Sequence, residues 1–583
     1  MKKNSIIAMA LLSLGLFACT KPIQEVEVIP EQNPEEEAPE VVVTPVEMAF
    51  TATIAEKVAT KSVDADGIAT WEVGEKIAVY YQKKDLSYAT ATANVDAVDA
   101  GVATISATLT DAKNATEVKF VYPATLMNAE TGDLNPAGLA TQHGTIADIS
   151  ANFDACTGSA TLETDGTTCG TSENVHMTNQ VLIGKFTPKY NKAAIADLVS
   201  LTIWDGTHTY TVTPSEGTFG TDGIYVAMLP VANKRIVISA NTSTAYYHYD
   251  KSGITLAVGK LYNNLAVTMT PVTHITNSSN ALQTAVAEAS TGAIIEMAAG
   301  TYVEANDGYY IDFAGGKEIT VLAMAGATVT LQQKLPIKIS GGAKAIFVDI
   351  VFDASHLTDT VDWYEHLIQA GDDNSNNRLE LDNCEIKDFD IYKAAIACRS
   401  GNKIASVRIN NCYFHDIYQC VFFLEDTSNT TSFEMTNSTV ANITVYAGGF
   451  SVGVIDLRGT SPEVSIDHCT FYNCQVRSTD YGTIRTASAK TTVSNCIFMM
   501  PESTGSLRTI HAQSGSKAQY CMVYNYTYDS GYGMRSDVAK TGCTNDKNPL
   551  FVDAASGDFT LGATSPARTA SSTGGPIGDP RWY

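Results

Sequence analysis

The sequence predicts an all-β chain in which a β-sandwich region is followed by a parallel β-helix. Three observations carry this expectation. Only 17% of residues are charged and 42 are glycine, a balance that suits strands and turns. Short apolar and polar alternations bounded by Gly, Asp and Asn run from Val46 to Pro271, as in Lys76–Tyr80 and Arg235–Ile238. Beyond residue 380 one short pattern recurs at a nearly constant interval.

The chain divides into segments 1–18, 19–45, 46–271 and 272–583. Lys2 and Lys3 precede an apolar stretch from Ile6 to Phe17 that is too short for a mature membrane span, and a small residue then precedes Cys19. This reads as a signal peptide. Leu16-Phe17-Ala18-Cys19 resembles the lipobox of bacterial lipoproteins. The resemblance implies cleavage before Cys19, its lipidation with acyl chains such as palmitate, and attachment to the outer membrane; the extended spacer and β platform that follow add the expectation that the chain faces outward. Several acyl chains would anchor far more firmly than one. From residue 19 to 45, Pro30, Pro34, Pro39 and Pro45 alternate with Glu31, Glu35, Glu36, Glu37 and Glu40, an extended and self-repelling tether. The formal net charge of -25 offers no basic face for nucleic acid.

Twelve cysteines stand in a chain expected to be exported. With Cys19 acylated, eleven remain, so at least one is unpaired within the monomer. Cys156 and Cys169 share a Gly/Thr-rich stretch and form a possible bridge. The others are expected as buried thiols, since free cysteine behaves as a small core hydrophobe. No Cys-x-x-Cys or paired-His spacing supports a metal site.

In the 46–271 region, Trp71-Glu72-Val73-Gly74-Glu75-Lys76-Ile77-Ala78-Val79-Tyr80, Tyr225-Val226-Ala227-Met228-Leu229-Pro230 and Gly259-Lys260-Leu261-Tyr262 occur in the order seen in fimbrillin-like proteins, and the region resembles that family. The resemblance implies two β-sandwich lobes and, in true pilus subunits, strand exchange with surface-protein partners. The same fold also serves as a platform that does not polymerise.

The repeat is carried by Asp382-Asn383-Cys384, Asn410-Asn411-Cys412, Thr436-Asn437-Ser438, Asp467-His468-Cys469 and Ser494-Asn495-Cys496, with Cys521 following. The Cys/Ser position advances by 28, 26, 31, 27 and 25 residues. A second marker, Ile396, Phe423, Ile455, Ile484 and Ile510, advances by 27, 32, 29 and 26. Two markers with one period and no helical pattern between them predict stacked coils of short parallel strands. Strand spacing of about 4.8 Å would let Asn383, Asn411, Asn437 and Asn495 form an amide ladder, internal or in a turn. Ala281–Ala289 reads as a short cap helix ahead of the first coil. That opening, with Asn548-Pro549-Leu550-Phe551-Val552-Asp553, Asp558-Phe559-Thr560-Leu561 and Ser565-Pro566-Ala567 at the close, resembles the pectate-lyase-like right-handed β-helices, particularly those related to chondroitin and alginate lyases. The resemblance implies a right-handed coil and polysaccharide as partner.

If the second marker points inward, alternation turns Ala397, Leu424, Asp456, Arg485 and His511 outward, with Arg399, Asp426, Arg458, Ala487 and Gln513 two positions further on. Arg399, Asp426, Asp456, Arg458, Arg485 and His511 are therefore the candidates for carbohydrate binding. Arginine grips carboxylate or sulfate bidentately, and aspartate accepts from hydroxyls. Alternating Asp and Arg on neighbouring strands also make ordinary cross-strand ion pairs, so both readings stand. A lyase reaction needs a base for the proton α to a uronate carboxylate and a cation for the enolate; Arg485 and His511 are the available pair. No cofactor is implied, and calcium enters only for a lyase, with Asp456 or Glu425 as ligand. Glu425 has the wrong parity for the groove unless its strand ends there. Neither column holds the lysine that the resemblance would supply. Tyr413, Tyr418, Tyr446, Tyr472, Tyr481, Tyr524, Tyr526, Tyr528 and Tyr532 crowd the turns, where rings stack on sugars or pack loops onto the sheet.

Overall fold

The computed structural model describes residues 70–99, 101–303, 310–332, 336–355, 366–371, 375–390, 394–399, 401–425, 430–444, 452–460, 462–476, 481–504 and 507–583, with the backbone of strand Pro45–Ile54. Cys19, the tether, Asp426 and Tyr446 lie outside these residues. Among the described residues the chain is nearly all β, with two α-helices, and no helix is long and apolar enough to cross a membrane.

The first lobe closes on itself. Pro45–Ile54 pairs antiparallel with Val102–Thr110 on one side and parallel with Thr168–Thr171 and Val175–Asn179 on the other, so the strands pair all the way round. Closure removes the free edges that would otherwise template pairing with another chain. Trp71, Ile77, Val79, Phe120 and Tyr122 fill it. Cys156 and Cys169 are both buried and share no disulfide, contrary to the bridge considered above. They sit on paired strands with Cys169 opposite Thr164, eight residues along from Cys156, which is roughly 26 Å at about 3.3 Å per residue.

In the second lobe, Leu182–Tyr190 with Ile224–Met228 and Leu261–Thr268 packs against Ser200–Trp204, Val231–Asn241 and Tyr246–Leu256 around Leu182, Phe186, Leu201, Ile203, Val226 and Ile238. The latter sheet does not stop at the lobe. Tyr246–Leu256 pairs with Thr270–Ile275, which pairs in parallel with Ala293–Met297, the first strand of the β-helix. One sheet of 16 strands thus runs through lobe and helix. Buried Glu296 marks the seam, accepting from Ser239 Oγ at 2.5 Å and facing His248 Nδ1 at 3.1 Å and His274 Nδ1 at 3.3 Å. Burial alone would raise this carboxyl; the bonds outweigh it and hold Glu296 below its ordinary value.

The cap helix Ala281–Glu288 buries Leu282, Ala285 and Val286 against the first coil. Three parallel sheets follow. The first turns into the second through one left-handed residue per coil: Asp349, Asn383, Asn411, Asn437, His468 and Asn495 have φ of 60°, 52°, 54°, 50°, 49° and 50°. Asn and Asp tolerate this conformation because a short polar side chain bonds locally. Of the expected asparagine ladder one step forms in this turn: Asn411 Nδ2 donates to Asn383 Oδ1 at 2.7 Å, and Asn383 Nδ2 to Asp349 Oδ1 at 2.5 Å, whereas Asn437 Nδ2 donates to Asn410 Oδ1 at 3.0 Å and Asn495 Nδ2 to Asp467 Oδ1 at 2.9 Å. The cysteine column points inward as free, buried thiols. Cys412 Sγ lies 3.2 Å from Asn410 O, and Ser438 Oγ takes the equivalent place 2.6 Å from Thr436 O.

The outer faces of the sheets differ. On the first, Lys344 lies 2.9 Å from Glu380, and Arg408 lies 3.8 Å from Glu434, ordinary ion pairs between neighbouring strands. Over the second, residues beyond 548 fold back. Phe559 packs on Tyr413 and Tyr472, Asp579 accepts from Thr439 Oγ1 at 2.7 Å, and Trp582 Nε1 donates to Thr439 Oγ1 at 2.8 Å. Tyr413 and Tyr472 therefore pack this closing segment onto the sheet. The polar column lies on the third.

Candidate functional site

The third sheet places Ala394–Cys398, Cys420–Leu424, Ile455–Leu457, Gly482–Thr486 and Arg508–His511 in parallel. Its inward column is Ile396, Phe422, Ile455, Ile484 and Ile510; its other face carries Ala397, Phe423, Asp456, Arg485 and His511. The expected marker is one residue out of phase in a single coil. Phe422 is the inward ring, and Leu424 joins the core, so Phe423 takes the outward place assigned to Leu424. Two adjacent phenylalanines conceal which one faces in. The same slip brings Glu425 beside Arg399, 3.8 Å from its Nε; Asp426, expected in that column, is outside the described residues.

Asp456 is fully buried although it stands on the outer face, because two guanidinium groups cover it. Arg485 Nη1, from the next coil, lies 3.2 Å from both carboxylate oxygens; Arg458 gives Nε to Oδ1 and Nη2 to Oδ2, each at 3.2 Å. The Gly453 backbone N–H donates to Oδ2 at 3.1 Å. Each guanidinium also lies on a ring, Arg485 4.7 Å from the centroid of Tyr481 and Arg458 4.8 Å from that of Phe423. Carboxylate on one side and ring on another fix both planes, while 28% and 29% of the two side chains stay exposed.

Two glycines make room for this arrangement. A Cβ on Gly453 would stand 2.7 Å from Gly482 O and 3.0 Å from Arg485 Cβ; one on Gly482 would stand 2.9 Å from Ile484 O and 3.0 Å from His511 N. The signal was in the sequence, since Gly453-Val454-Ile455-Asp456 and Gly482-Thr483-Ile484-Arg485 share a glycine two residues before the inward isoleucine.

His511 lies next to Arg485 in register. Its Nε2 is 3.2 Å from Arg535 Nη1. A guanidinium only donates, so Nε2 accepts and the neutral ring carries its proton on Nδ1. The Nε2 lone pair that would serve a general base is thereby engaged. Arg508 is held by Asp529 at 2.7 Å over the ring of Tyr528. The structure thus brings Asp456, Arg458 and Arg485 into one cluster, sets His511 beside it with Arg535, and pairs Arg399 with Glu425. Among the described residues, no group of three or more His, Cys, Asp or Glu could hold a metal ion.

A second polar group that the sequence reading missed lies where the second sheet bends. His415 bonds Glu385 through Nε2 at 3.0 Å and Asp416 through Nδ1 at 2.6 Å.

A family model described as a domain of unknown function (DUF5123) matches residues 464–582. No curated protein matches. Similar solved structures include the PL6 family alginate lyase AlyGC, at 15% identity over 47% of this chain and 39% of that one, with a TM-score of 0.31. A putative cell adhesion protein from Bacteroides fragilis is 13% identical over 39% of this chain and 96% of its own, with a TM-score of 0.25. Pectate lyase Pel9A is 12% identical over 53% and 95%, with a TM-score of 0.28. The structures similar to this chain thus include both polysaccharide lyases and a putative adhesion protein.

Proposed function

We propose that this is a lipid-anchored surface protein whose β-helix binds an acidic polysaccharide along the outer face of its third sheet. One observation carries the reading: Arg458 and Arg485 are fixed by a buried carboxylate and two rings, yet remain partly exposed side by side. Asp456 orients the arginines and is too buried to touch a ligand itself. Two guanidinium groups against one carboxylate leave one positive charge at this point of a chain of net charge -25, and screening over about 8 Å at physiological salt confines the repulsion from the rest. Pre-fixed planar donors suit uronate carboxylates or sulfates. The reading is binding rather than cleavage, because His511 Nε2 already accepts from Arg535 and the lysine of this column, Lys338, stands four coils from Asp456, beyond Gln369, Ala397 and Phe423.

The test is migration of the full chain in gels loaded with alginate, polygalacturonate or chondroitin sulfate, with dextran as the neutral control. Retardation by an acidic polymer that Arg458→Ala and Arg485→Ala relieve supports binding. Equal mobility in every gel removes it and favours the rival, an adhesin or fimbria-associated subunit that depends on residues 46–271. Appearance of absorbance from unsaturated uronate ends would make the chain a lyase. The anchor is tested by the membrane fraction, which Cys19→Ala should leave.

A further inference from the structure

The seam between the second lobe and the β-helix holds a cleft of about 350 Å³, at the corner where the first sheet turns into the second. This is within the size range of small-molecule pockets, roughly 300–1,000 Å³. Trp204, at the end of its strand in the lobe, lines it together with Tyr413 of the second sheet; Asp349, Asn383, Glu385 and Arg581 supply its polar lining.

The polar groups are held in place. Arg235 forks onto Asp349 at 2.8 and 2.9 Å and onto Asp250 at 2.6 Å, and its guanidinium lies 5.9 Å from the Trp204 ring. Asn383 bonds Asp349, His415 bonds Glu385, and Arg581 bonds Asp579 Oδ2 through Nε at 3.0 Å and Cys412 O through Nη2 at 2.7 Å. Every cation at the rim is held by carboxylates, Arg235 by two and His415 by two, so none is left to seek an anion. The excess of carboxylate repels an acidic polymer and leaves a neutral ligand as the match. Fixed aromatic rings beside fixed donors and acceptors match a ring with one apolar face and an edge of hydroxyls.

We propose that this cleft binds one or two residues of a neutral saccharide, with Trp204 against the sugar face and Asn383, Glu385 and Arg581 bonding its hydroxyls. The site is separate from the arginine column and does not depend on it. Two kinds of sugar contact would then sit on one β-helix, acidic polymer on its third sheet and a neutral unit at the seam with the lobe.

Calorimetric titration of the full chain tests this, with glucose, galactose, mannose, N-acetylglucosamine and their β-linked disaccharides as probes, each into the millimolar range. At least one sugar should give saturable heat. Trp204→Ala should weaken it tenfold or more. Thr328→Tyr, which fills the cleft from an exposed position, should do the same with an unchanged melting temperature. Arg485→Ala should leave it unchanged. No saturable heat from any sugar overturns the proposal, as does full affinity in Thr328→Tyr. Heat lost in Arg485→Ala but retained in Thr328→Tyr would place the sugar in the arginine column and also overturns it. If Trp204→Ala fails to fold, Thr328→Tyr decides alone.

Discussion

Removing the carboxylate under the two arginines should be costly, and the cost can be bounded from the structure. Asp456 is fully buried, whereas Arg458 and Arg485 are 29% and 28% exposed. Breaking a wholly buried pair costs about 3–5 kcal/mol, and exposed pairs contribute about 0.2–1 kcal/mol. Here the arginines can recover water by turning outward, but the Gly453 N–H cannot. Asp456→Ala should therefore destabilise the β-helix by about 2–3 kcal/mol, and Arg485→Ala by about 1–2 kcal/mol, because Arg458 still covers the acid. The double variant should fall short of the sum by about 1 kcal/mol or more. Guanidinium unfolding of the four proteins, followed by far-UV circular dichroism, measures this coupling. Additivity within about 0.3 kcal/mol would mean that the contact is too weak to fix the guanidinium planes, and the proposed preorganisation would fail with it.

Three further outcomes follow from the same structure. Burial opposes the charged form of His415, but bonds to Glu385 and Asp416 outweigh it and raise its pKa above 6.5; the bond from His415, against burial, lowers Glu385 below 4.5. The histidine's contribution is full below 6.5 and lost as pH rises through its raised folded value, while that of Glu385 is full above 4.5 and lost as pH falls through its lowered one. The melting temperature of wild type should thus exceed that of His415→Gln most between pH 4.5 and 6.5, with the gap closing on both sides. Asn411→Ala should cost about 2–3 kcal/mol, from the left-handed backbone and the lost bond to Asn383, and Asn411→Gly only about 1 kcal/mol; thermal unfolding separates them. Cys412→Ser should cost less than about 1 kcal/mol, since Ser438 already occupies this column, whereas Cys412→Leu should cost about 1–3 kcal/mol by overpacking.

The β-helix was legible because one turn conformation recurs in coil after coil. A left-handed position favours Asn or Asp, although His468 and Tyr520 also fill it, and the next residue must be small and point inward; Asn383-Cys384, Asn411-Cys412, Asn437-Ser438 and Asn495-Cys496 record both demands. A second left-handed column, Asp388, Asp416, Asn442, Asn473 and Asn525, lies four residues after the Cys/Ser position and is hidden in the sequence, because the strand pattern continues through it. The polar column was found through its inward isoleucines. Its phase failed only at Phe422 and Phe423, where hydrophobicity does not distinguish the two faces. Burial of Asp456 could not be read from the sequence, since it depends on Arg458 reaching back along its own strand and Arg485 reaching across from the next coil. Nor could the merging of lobe and helix into one sheet, for Thr270–Ile275 reads equally well as the last strand of a lobe or as a linker.

The central claim is that two fixed arginines on the third sheet grip an acidic glycan. Its most direct test is calorimetric titration of wild type and Arg485→Ala with oligouronates of defined length. Loss of one charge-assisted bond to a carboxylate, about 1.5–3 kcal/mol, predicts affinity about 10- to 100-fold weaker in the variant and a wild-type affinity that falls with added salt. Equal affinity in the two proteins, or wild-type binding indifferent to salt, would contradict the account.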